Sequence, residues 1–254
     1  MSIAASSQAL TILRVGLLAV VCAAWELFAR AAHSLLLPSF SQTALALADL
    51  VRQPATWTAL WESNQAMLIG FVSSLVLGLP LGFLAGRVRE VEQAADPYLN
   101  FLLMVPVAAL LPIFVMALGL GLVVRVAVVF MFTVPVIVVN VRAGLRKIDP
   151  TLIDMAHTLG ATERQLWRTV LLPGSLPGVL SGMRLGLGRA LSGMVVAELL
   201  LIAVGVGRLM LAYQGKFESA SLYALVIILV LEAVGLMAAS VAIERHATAW
   251  NRRA

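Results

Sequence analysis

Residues 149–173, DPTLIDMAHTLGATERQLWRTVLLP, are a polar and charged stretch inside a strongly apolar chain. Asp149 has the side chain of a good helix N-cap, and Pro150 fits the first helical turn because its missing N–H is not needed there. Gly160 is able to adopt the left-handed backbone that closes a helix. These signals predict a short helix that begins at Pro150 and ends just before Gly160.

A second set of helix signals follows directly. Thr162 and, three residues later, Gln165 form a capping-box pattern, in which each side chain accepts a hydrogen bond from the other residue's backbone N–H. Pro173 and Pro177 are predicted to end this second helix, because proline lacks the N–H that a helix interior needs. The stretch is therefore predicted to hold two short helices that meet at a glycine corner, too polar to enter a bilayer.

The rest of the chain has the composition of a protein that crosses a membrane several times. Of its 254 residues, 61% are hydrophobic and only 12% are charged, whereas soluble domains carry about 25% charged residues. Cationic cytoplasmic loops explain the net charge of +5, so we do not predict nucleic-acid binding. Cys22 is the only cysteine, which excludes an intrachain disulfide.

Six apolar windows are long enough to cross a hydrocarbon core, which takes about 20 residues. They cover residues 12–32, 66–85, 99–118, 122–141, 179–204 and 222–241. Pro106 and Pro112 in the third window predict a kinked or broken helix. The first window is predicted to be a retained anchor rather than a cleaved signal. An apolar-periodic run at residues 43–51 predicts a short amphipathic helix in the loop that follows.

The distribution of Lys and Arg predicts the orientation, because cytoplasmic loops carry an excess of both. With a cytoplasmic N-terminus, eleven cations fall on the cytoplasmic side and four on the outer side, with Arg125 at the outer boundary of the fourth span. The eleven are Arg14, Arg87, Arg89, Arg142, Arg146, Lys147, Arg164, Arg168, Arg245, Arg252 and Arg253, and the four are Arg30, Arg52, Arg208 and Lys216. Both termini and residues 149–173 are therefore predicted to lie in the cytoplasm.

The sequence lacks the motifs of catalysis and cofactor binding. Its three histidines, at positions 33, 157 and 246, share no metal-ligand spacing. No Gly-Lys-Ser/Thr phosphate-binding loop occurs. We therefore predict a single all-α membrane domain over residues 1–254 that is not an enzyme and that needs no metal or other cofactor of its own.

The polar stretch is compatible with three roles on its residues alone. It is suited to join two spans as an interfacial hairpin, to dock on a partner protein, or to face nucleic acid with Arg164 and Arg168. Its acids, Asp149, Asp154 and Glu163, reduce the positive field, and both of its ends are tied to membrane spans, which disfavours nucleic acid. The hairpin and the docking element stay open on local physics.

Two motifs give this stretch a resemblance to a known family. Residues 153–161, IDMAHTLGA, followed by Val170-Leu171-Leu172-Pro173, resemble the signature loop of bacterial ABC-importer permeases. In that loop Glu-Ala-Ala, a glycine four positions after the second alanine, and Ile-x-Leu-Pro recur. The spacing matches throughout. Asp154 stands for the usual Glu, Met155 for the first Ala and Val170 for Ile, and all three departures are chemically mild.

Further motifs extend the resemblance to most of the chain. Val105-Pro106, Leu111-Pro112, Gly119-Leu120-Gly121, Ala197-Glu198-Leu199 and Gly205-Val206-Gly207 are similar to the nitrate, sulfonate and taurine branch of that family. The resemblance implies the type I importer permease fold, with six transmembrane helices, in a bacterial plasma (inner) membrane. It also implies two copies of this subunit, two cytoplasmic ATP-binding subunits that hydrolyse ATP, and an extracytoplasmic substrate-binding protein.

The resemblance further implies a role for the first helix of the polar stretch. This helix would be a coupling helix seated on the ATPase. The residues carried over to that contact are Asp154, Met155, Ala156, Gly160, Ala161, Thr162, Leu172 and Pro173. Spans four and five would then transmit the movement of the ATPase to the membrane domain.

Charged side chains inside the predicted spans are the candidate residues of a translocation pathway, because burying them costs about 2.5–3.5 kcal/mol at mid-helix. Arg184 and Arg189 fall near the cytoplasmic start of the fifth window, and Glu198 lies deeper. Arg189 and Glu198 are separated by about 13.5 Å along one straight helix, so they do not pair within it. Two interpretations stay open: a satisfied pair between helices, or a cationic position that admits a small anion.

The solute is the least constrained expectation. The branch resemblance implies a small anion such as a sulfonate, nitrate or a taurine-like compound. Near relatives carry aromatic heterocycles such as vitamin precursors, which is the alternative. An ATP-independent secondary transporter or channel is a further alternative, although it would usually show internal repeats or a charged relay in its spans.

Overall fold

The computed structural model describes residues 7–200 and 204–247. Within these ranges the chain consists of helices and short connections, and no β-strand occurs in them. The helices are α1 (Ser7–Ala32), α2 (Phe40–Arg52), α3 (Pro54–Arg87), α4 (Arg89–Met104), α5 (Val107–Leu118), α6 (Leu122–Arg146), α7 (Pro150–Thr158), α8 (Glu163–Leu166), α9 (Leu172–Leu200), α10 (Gly205–Gly215) and α11 (Ser219–Ala247). A π-helical turn, Trp167–Leu171, connects α8 to α9.

The helices confirm six membrane spans when one broken pair is counted as a single span. Five stretches are long and apolar enough to cross a bilayer: Ile12–Ala32, Pro54–Arg87, Leu122–Arg146, Glu163–Leu200 and Ser219–Arg245. The third predicted span is broken into α4 and α5, which are bent by 100°. Val105 has an extended backbone, as is usual before proline, and Pro106 is the N-cap of α5.

The chain divides into two compact units. One comprises Met1–Thr58 and Leu209–Val230, and the other comprises Ala59–Arg208 and Leu231–Ala254. In the first unit the indole N–H of Trp25 donates to the Pro38 carbonyl at 3.0 Å, which fixes the turn after α1. A capping box between Ser39 and Gln42 begins α2. The short amphipathic helix that was predicted at residues 43–51 is therefore confirmed as α2.

In the second unit α6 is the central helix. Val128, Ile137 and Val141 on this helix are fully or almost fully buried. A helix that is apolar on all sides is expected to be surrounded by other helices. Because α6 and α9 pack along much of their length, the segment that joins them, which holds α7 and α8, is attached to the core of this unit at both ends.

The prediction that Pro173 and Pro177 end the second loop helix is wrong. α8 continues through the π-helical turn into α9, which contains both prolines and runs to Leu200. In that turn the N–H of Leu172 bonds to the carbonyl of Trp167, five residues back. The wider turn relieves the clash that the ring of Pro173 would make with the carbonyl four residues earlier. The fifth span is thus one helical segment, Glu163–Leu200, and residues 201–203 of the predicted window lie outside the described residues.

Candidate functional site

The first helix of the polar stretch, α7, is closed at both ends by local hydrogen bonds. Asp149 Oδ1 accepts from the Thr151 N–H at 2.9 Å, and this backbone hydrogen bond lowers the pKa of Asp149. At the other end Gly160 has φ +74°. Its N–H donates to His157 and the N–H of Ala161 donates to Ala156, the paired bonds of a Schellman closure. The predicted cap and the predicted glycine corner are both confirmed.

The second helix, α8, begins with the predicted capping box. The Thr162 N–H donates to Gln165 Oε1 at 2.8 Å, and the Gln165 N–H donates to Thr162 Oγ1 at 3.4 Å. Two backbone donors that would otherwise lack partners are thereby satisfied by neighbouring side chains. The corner between α7 and α8 therefore has a defined geometry that depends only on residues close in sequence.

The inner face of the polar stretch packs on the core of the second unit. Ile153 and Ala156 of α7 lie against a buried cluster formed by Leu145, Ile148, Leu166 and Leu171. A second attachment comes from α3. Phe83 meets Trp167 edge to face at a centroid distance of 5.8 Å, and Arg87 Nη2 lies 3.3 Å from Glu163 Oε1. The stretch is therefore held by contacts with α3 and α6, and it continues directly into α9.

The outer face of α7 is an exposed apolar stripe. Leu152, Met155 and Leu159 are 48%, 54% and 80% exposed. Their spacing of three and four residues places them along one side of the helix. Apolar side chains in such a row are stabilised when a second protein surface covers them. We refer to these three residues as the α7 stripe.

The residues carried over as coupling contacts divide by exposure. The exposed ones are Asp154, Met155, Gly160, Thr162 and Leu172, and the half-buried ones are Ala156, Ala161 and Pro173. Ala156 packs on its own subunit, and the side chain of Thr162 is used as a helix cap. Their contact with a partner protein stays a prediction.

The charges predicted in the fifth span differ in their partners. Arg184 Nη1 lies 2.7 Å from Glu244 Oε2 of α11, and both side chains are half-buried. Arg189 is exposed and, among the described residues, has no carboxylate within 4.0 Å. Of the two arginines predicted near the start of this span, Arg189 is thus the one with an unmatched charge.

Arg189 faces a cavity beside the broken third span. The cavity has a volume of about 230 Å³. Its lining includes Val105, Pro106 and Val107 at the break, Met131 and Phe132 of α6, and Arg189 of α9. All other lining side chains are apolar, so Arg189 supplies its only charge. The cavity lies beside Pro106, where the backbone bends instead of continuing as one straight helix.

Glu198 lies outside that cavity, in a buried polar cluster. Its side chain is 1% exposed. Glu198 Oε2 accepts from Ser63 Oγ at 2.7 Å and from the Gly207 N–H at 3.1 Å, and Oε1 accepts from Arg125 Nη1 at 3.3 Å. Arg125, rather than Arg189, is therefore the partner of Glu198, in agreement with the expectation that Glu198 pairs across spans. The pathway roles of Arg184, Arg189 and Glu198 stay predictions.

Two residues of this cluster were not singled out in the sequence: Ser63, and the adjacent Glu62, whose backbone carbonyl accepts from Arg125 Nη1 at 3.2 Å. They stand beside Asn64, which donates to Glu232 Oε1 at 2.5 Å. Three consecutive polar residues at the edge of a long apolar helix are a signal that could have identified them. The described residues hold no group of three His, Cys, Asp or Glu side chains suited to a metal ion.

Comparison with known protein sequences places the chain among transport proteins. Residues 78–248 match the family described as "Binding-protein-dependent transport system inner membrane component". The formylaminopyrimidine transport permease protein ThiX of Halalkalibacterium halodurans is 32% identical over 90% of this chain and 92% of its own length. The taurine transport system permease protein TauC of Escherichia coli is 29% identical over 77% and 71%. The riboflavin transport system permease protein RibX of Chloroflexus aurantiacus is 31% identical over 77% and 73%.

Solved structures with the same arrangement of helices include two transporters. A chain of the inward-facing MetNI methionine ABC transporter has a TM-score of 0.67 at 21% identity, covering 76% of this chain and 96% of that one. A chain of an amino acid ABC transporter crystallised with histidines has a TM-score of 0.65 at 15% identity, covering 79% and 97%. At these identities the likeness concerns the fold alone, and it agrees with the fold expected from the loop motif.

Proposed function

The chain belongs to the family of binding-protein-dependent transport system inner membrane components and is a permease subunit of an ABC importer, and on that premise we propose that it carries a small anion with energy from a separate ATPase that docks on α7. It is a multi-pass membrane protein. The excess of Lys and Arg on one side supports cytoplasmic termini and a cytoplasmic α7.

The observation that carries the docking proposal is the α7 stripe. Leu152, Met155 and Leu159 are exposed on a helix whose two ends are fixed by hydrogen bonds. The adjacent face of α7, with Ile153 and Ala156, is packed on Leu145 of α6, on Ile148, and on Leu166 and Leu171 in the segment that leads into α9. A partner protein that binds the α7 stripe therefore moves a helix that stays folded. The movement is then passed to two membrane spans as a rigid-body displacement.

The resemblance of the loop supports the wider assembly. We propose two copies of this permease, two cytoplasmic ATP-binding subunits and one substrate-binding protein on the outer face. Asp154, Met155, Gly160 and Leu172 are exposed on the loop and are proposed to contact the ATPase directly. Ala156, Ala161, Thr162 and Pro173 are proposed to act by holding the shape of that contact surface.

The unmatched charge of Arg189 supports an anionic solute. A guanidinium group without a carboxylate partner attracts an anion, because no neighbouring side chain already balances its charge. The cavity volume of about 230 Å³ lies below the range of about 300–1,000 Å³ that is typical for drug-sized ligands, which favours a small solute. We therefore place Arg189 in the pathway, whereas Arg184 and Glu198 have charges that neighbouring side chains already match.

A heterocyclic solute is the second candidate. Phe132 in the cavity lining offers an aromatic surface for stacking, and two relatives are named for formylaminopyrimidine and riboflavin. Such a solute would use the aromatic wall of the cavity and would depend little on the charge of Arg189. The two candidates are therefore separated by a single substitution.

Docking is tested by co-purification of the permease with its cognate ATPase subunit. The double substitution Met155→Asp and Leu159→Asp places two charges in the stripe, and we expect the retained ATPase to fall at least about tenfold, which is about 1.4 kcal/mol. For a comparison at equal charge, Met155→Asp alone is matched by His157→Asp, which adds the same single charge about 200° around the helix from Met155 and should retain the ATPase. Unchanged retention in the double variant would contradict the docking proposal.

The solute is tested by uptake into liposomes that contain the permease, the ATPase and the binding protein, with taurine and riboflavin as probes. Arg189→Met should lower taurine uptake about tenfold, because a charged hydrogen bond contributes about 1.5–3 kcal/mol. The control is Arg184→Met combined with Glu244→Gln, which removes a matched pair and should leave uptake near wild type. Riboflavin uptake that is insensitive to Arg189→Met would favour the heterocycle.

A further inference from the structure

The N-terminus of α10 is capped entirely by side chains from other helices. The first N–H groups of a helix have no partner within it. Here the N–H of Gly205 donates to Glu62 Oε2 at 3.2 Å, the N–H of Val206 to Ser63 Oγ at 2.9 Å, and the N–H of Gly207 to Glu198 Oε2 at 3.1 Å. Three successive backbone donors are thus satisfied by α3 and α9. We call Glu62, Ser63, Glu198 and Arg125 the α10 cap.

Three members of the α10 cap, Ser63, Glu198 and Arg125, are buried, whereas the side chain of Glu62 is 37% exposed. Glu198 is 1% exposed, Ser63 is fully buried and Arg125 is 8% exposed. Arg125 Nη1 donates both to Glu198 and to the backbone carbonyl of Glu62 at 3.2 Å, so α6 is joined to α3 and α9 at one point. Separating these groups would leave a carboxylate and a guanidinium unpaired away from water, which is strongly unfavourable. The buried pair of Glu198 and Arg125 therefore favours the closed arrangement of the cap.

Two glycines allow the helices to come close enough for these bonds. A Cβ atom on Gly205 would lie 2.3 Å from Ser63 Oγ, and one on Gly207 would lie 2.6 Å from Glu198 Cβ. Gly205 also has φ +58°, in the left-handed region. The Gly-Val-Gly motif thus provides both the turn and the space that the side chains of the cap require.

Close packing continues from the cap along the whole of α6. On its α3 side, Gly70, Gly78, Gly82 and Gly86 lie against Val129, Ile137, Val141 and Leu145. On its α9 side, Gly178, Gly182, Gly186 and Gly193 lie against Gly144, Asn140, Ile137 and Phe132. Small residues at such contacts let backbones approach closely and resist sliding, because each neighbour fills the space that a side chain would occupy.

The same three helices hold the polar stretch at their other end. Arg87 of α3 pairs with Glu163, and Phe83 packs on Trp167. Leu145 of α6 and Leu171 before α9 belong to the cluster under α7. The segments 59–87, 122–146 and 172–200 are therefore fastened to each other at the loop end by these contacts, along their length by glycine packing, and at the far end by the α10 cap.

From these contacts we infer that Glu198 is a positioning residue for transport, which locks the N-terminus of α10 to a rigid block of α3, α6 and α9 whose opposite end carries α7. This inference rests on the proposed function, since a rigid block has a role in transport only if the ATPase moves α7. A displacement of α7 then reaches the N-terminus of α10 with its full amplitude, because the block between α7 and α10 contains no flexible connection. Glu198 acts through α10 and does not contact the solute.

The positioning role is tested on the permease alone, in lipid nanodiscs, by pulsed electron paramagnetic resonance. Spin labels are placed at Val72→Cys, on an exposed part of α3, and at Arg208→Cys on α10, with Cys22→Ser in all variants. We expect one narrow distance distribution. Glu198→Gln keeps the shape of the side chain but removes its charge, and it should at least double the width of the distribution. Ser63→Ala should broaden it as well.

The matched control for this measurement is Glu232→Gln, which removes another intramembrane carboxylate that accepts from the neighbouring Asn64. The distribution should stay narrow in this variant, because Glu232 does not cap α10. A narrow distribution in Glu198→Gln, or equal broadening in both variants, would overturn the positioning role. Because no ATPase is needed, this result is independent of the proposed function.

The rigid block is tested in the complex with the ATPase. Labels at Leu84→Cys, near the loop end of α3, and at Leu200→Cys, at the far end of α9, report on its two ends. The distance between them should be the same without nucleotide and in the complex trapped with ATP and vanadate. A shift of the mean larger than the width of the distribution would overturn the block. Failure of an ATPase to co-purify would instead count against the proposed function and leave the Val72 to Arg208 result standing.

Discussion

Two regions of this molecule satisfy the unpaired N–H groups at the start of a helix with different kinds of side chain. At α7 and α8 the caps are Asp149 and Thr162, which lie next to the helices that they cap and are exposed to water. At α10 the caps are Glu62 and Ser63, which lie 143 residues away from the groups that they cap, and Glu198, which lies nine residues before Gly207; Ser63 and Glu198 are buried.

The difference shows how much each region contributes to the fold. Water can replace an exposed cap, so its loss has a local and limited effect. No water replaces a buried carboxylate that also balances an arginine, so its loss leaves several groups unsatisfied. We expect the loop caps, Asp149 and Thr162, to set the shape of a surface that a partner protein binds. We expect the α10 cap to hold helices together.

The largest effect is expected from Glu198→Ala. Removing one partner of a buried ion pair costs about 3–5 kcal/mol, so the thermal unfolding temperature of the detergent-solubilised protein should fall sharply. Asp149→Ala is the matched control, since it removes an exposed carboxylate cap and should leave global unfolding almost unchanged. Similar shifts in the two variants would show that the contrast between the regions does not hold.

The next largest effect is expected from Gly205→Ala. The left-handed backbone costs about 1–2 kcal/mol for a residue with a Cβ atom, and the contact with Ser63 adds about 1–3 kcal/mol of overpacking. Denaturant titration in detergent measures the total loss in the free energy of unfolding. Gly235→Ala on α11 is the control, because a Cβ atom there meets nothing within 4 Å, and stability should stay the same or rise slightly.

Gly160→Val is expected to affect transport far more than folding. Its φ of +74° is unfavourable for a β-branched residue, but a Cβ atom there meets nothing within 4 Å, so only about 1–2 kcal/mol is lost locally. ATP-driven uptake should be abolished while the permease elutes and unfolds normally. Gly160→Asn is the control, because asparagine tolerates this backbone conformation. Normal uptake with valine would remove the argument for a rigid corner.

A smaller effect is expected from Thr162→Ala. Loss of an exposed N-cap costs about 1 kcal/mol, confined to the start of α8. Hydrogen exchange of the amide of Gln165 should accelerate, while the amides of α6 should keep their protection. Acceleration in α6 to the same extent would mean that the loop caps also support the core, contrary to the comparison above.

The smallest effect is a pH dependence at α7. The hydrogen bond from the Thr151 N–H lowers the pKa of Asp149, so the cap contributes fully above the ordinary Asp value of about 3.9. Its contribution is lost as the pH falls through the lowered pKa. Exchange of the Thr151 amide should accelerate over that acidic range. Asp149→Asn keeps an acceptor without a charge and should show no such dependence.

The loop could be predicted in detail because its determinants are local. Asp149, Gly160, Thr162 and Gln165 act on backbone groups within five residues of themselves, so reading their order is enough to place two helices and a corner. The error at Pro173 has the opposite origin. Its helix continues because the wider turn at Trp167–Leu171 accommodates the ring inside a packed membrane domain, and no local rule signals that choice.

The site in the membrane was predicted only in outline. Charge in apolar spans drew attention to Arg184, Arg189 and Glu198, but their partners, Glu244 for Arg184 and Arg125 for Glu198, lie 60 and 73 residues away in the chain. The packing of α6 beside α9 brings Arg125 to Glu198, and the proximity of α11 to α9 brings Glu244 to Arg184. The same packing leaves Arg189 unmatched beside the break at Pro106.

By itself the sequence determined the membrane class, the windows that span it, the local caps of the loop and the family. These follow from composition, hydrophobic length and hydrogen bonds between near neighbours, which do not depend on how the helices meet. The tertiary structure alone decided which intramembrane charges are neutralised, which one faces a cavity, and which side chains cap α10. Those outcomes depend on distances between remote segments, because the energy of a buried charge is set by the groups that surround it in space.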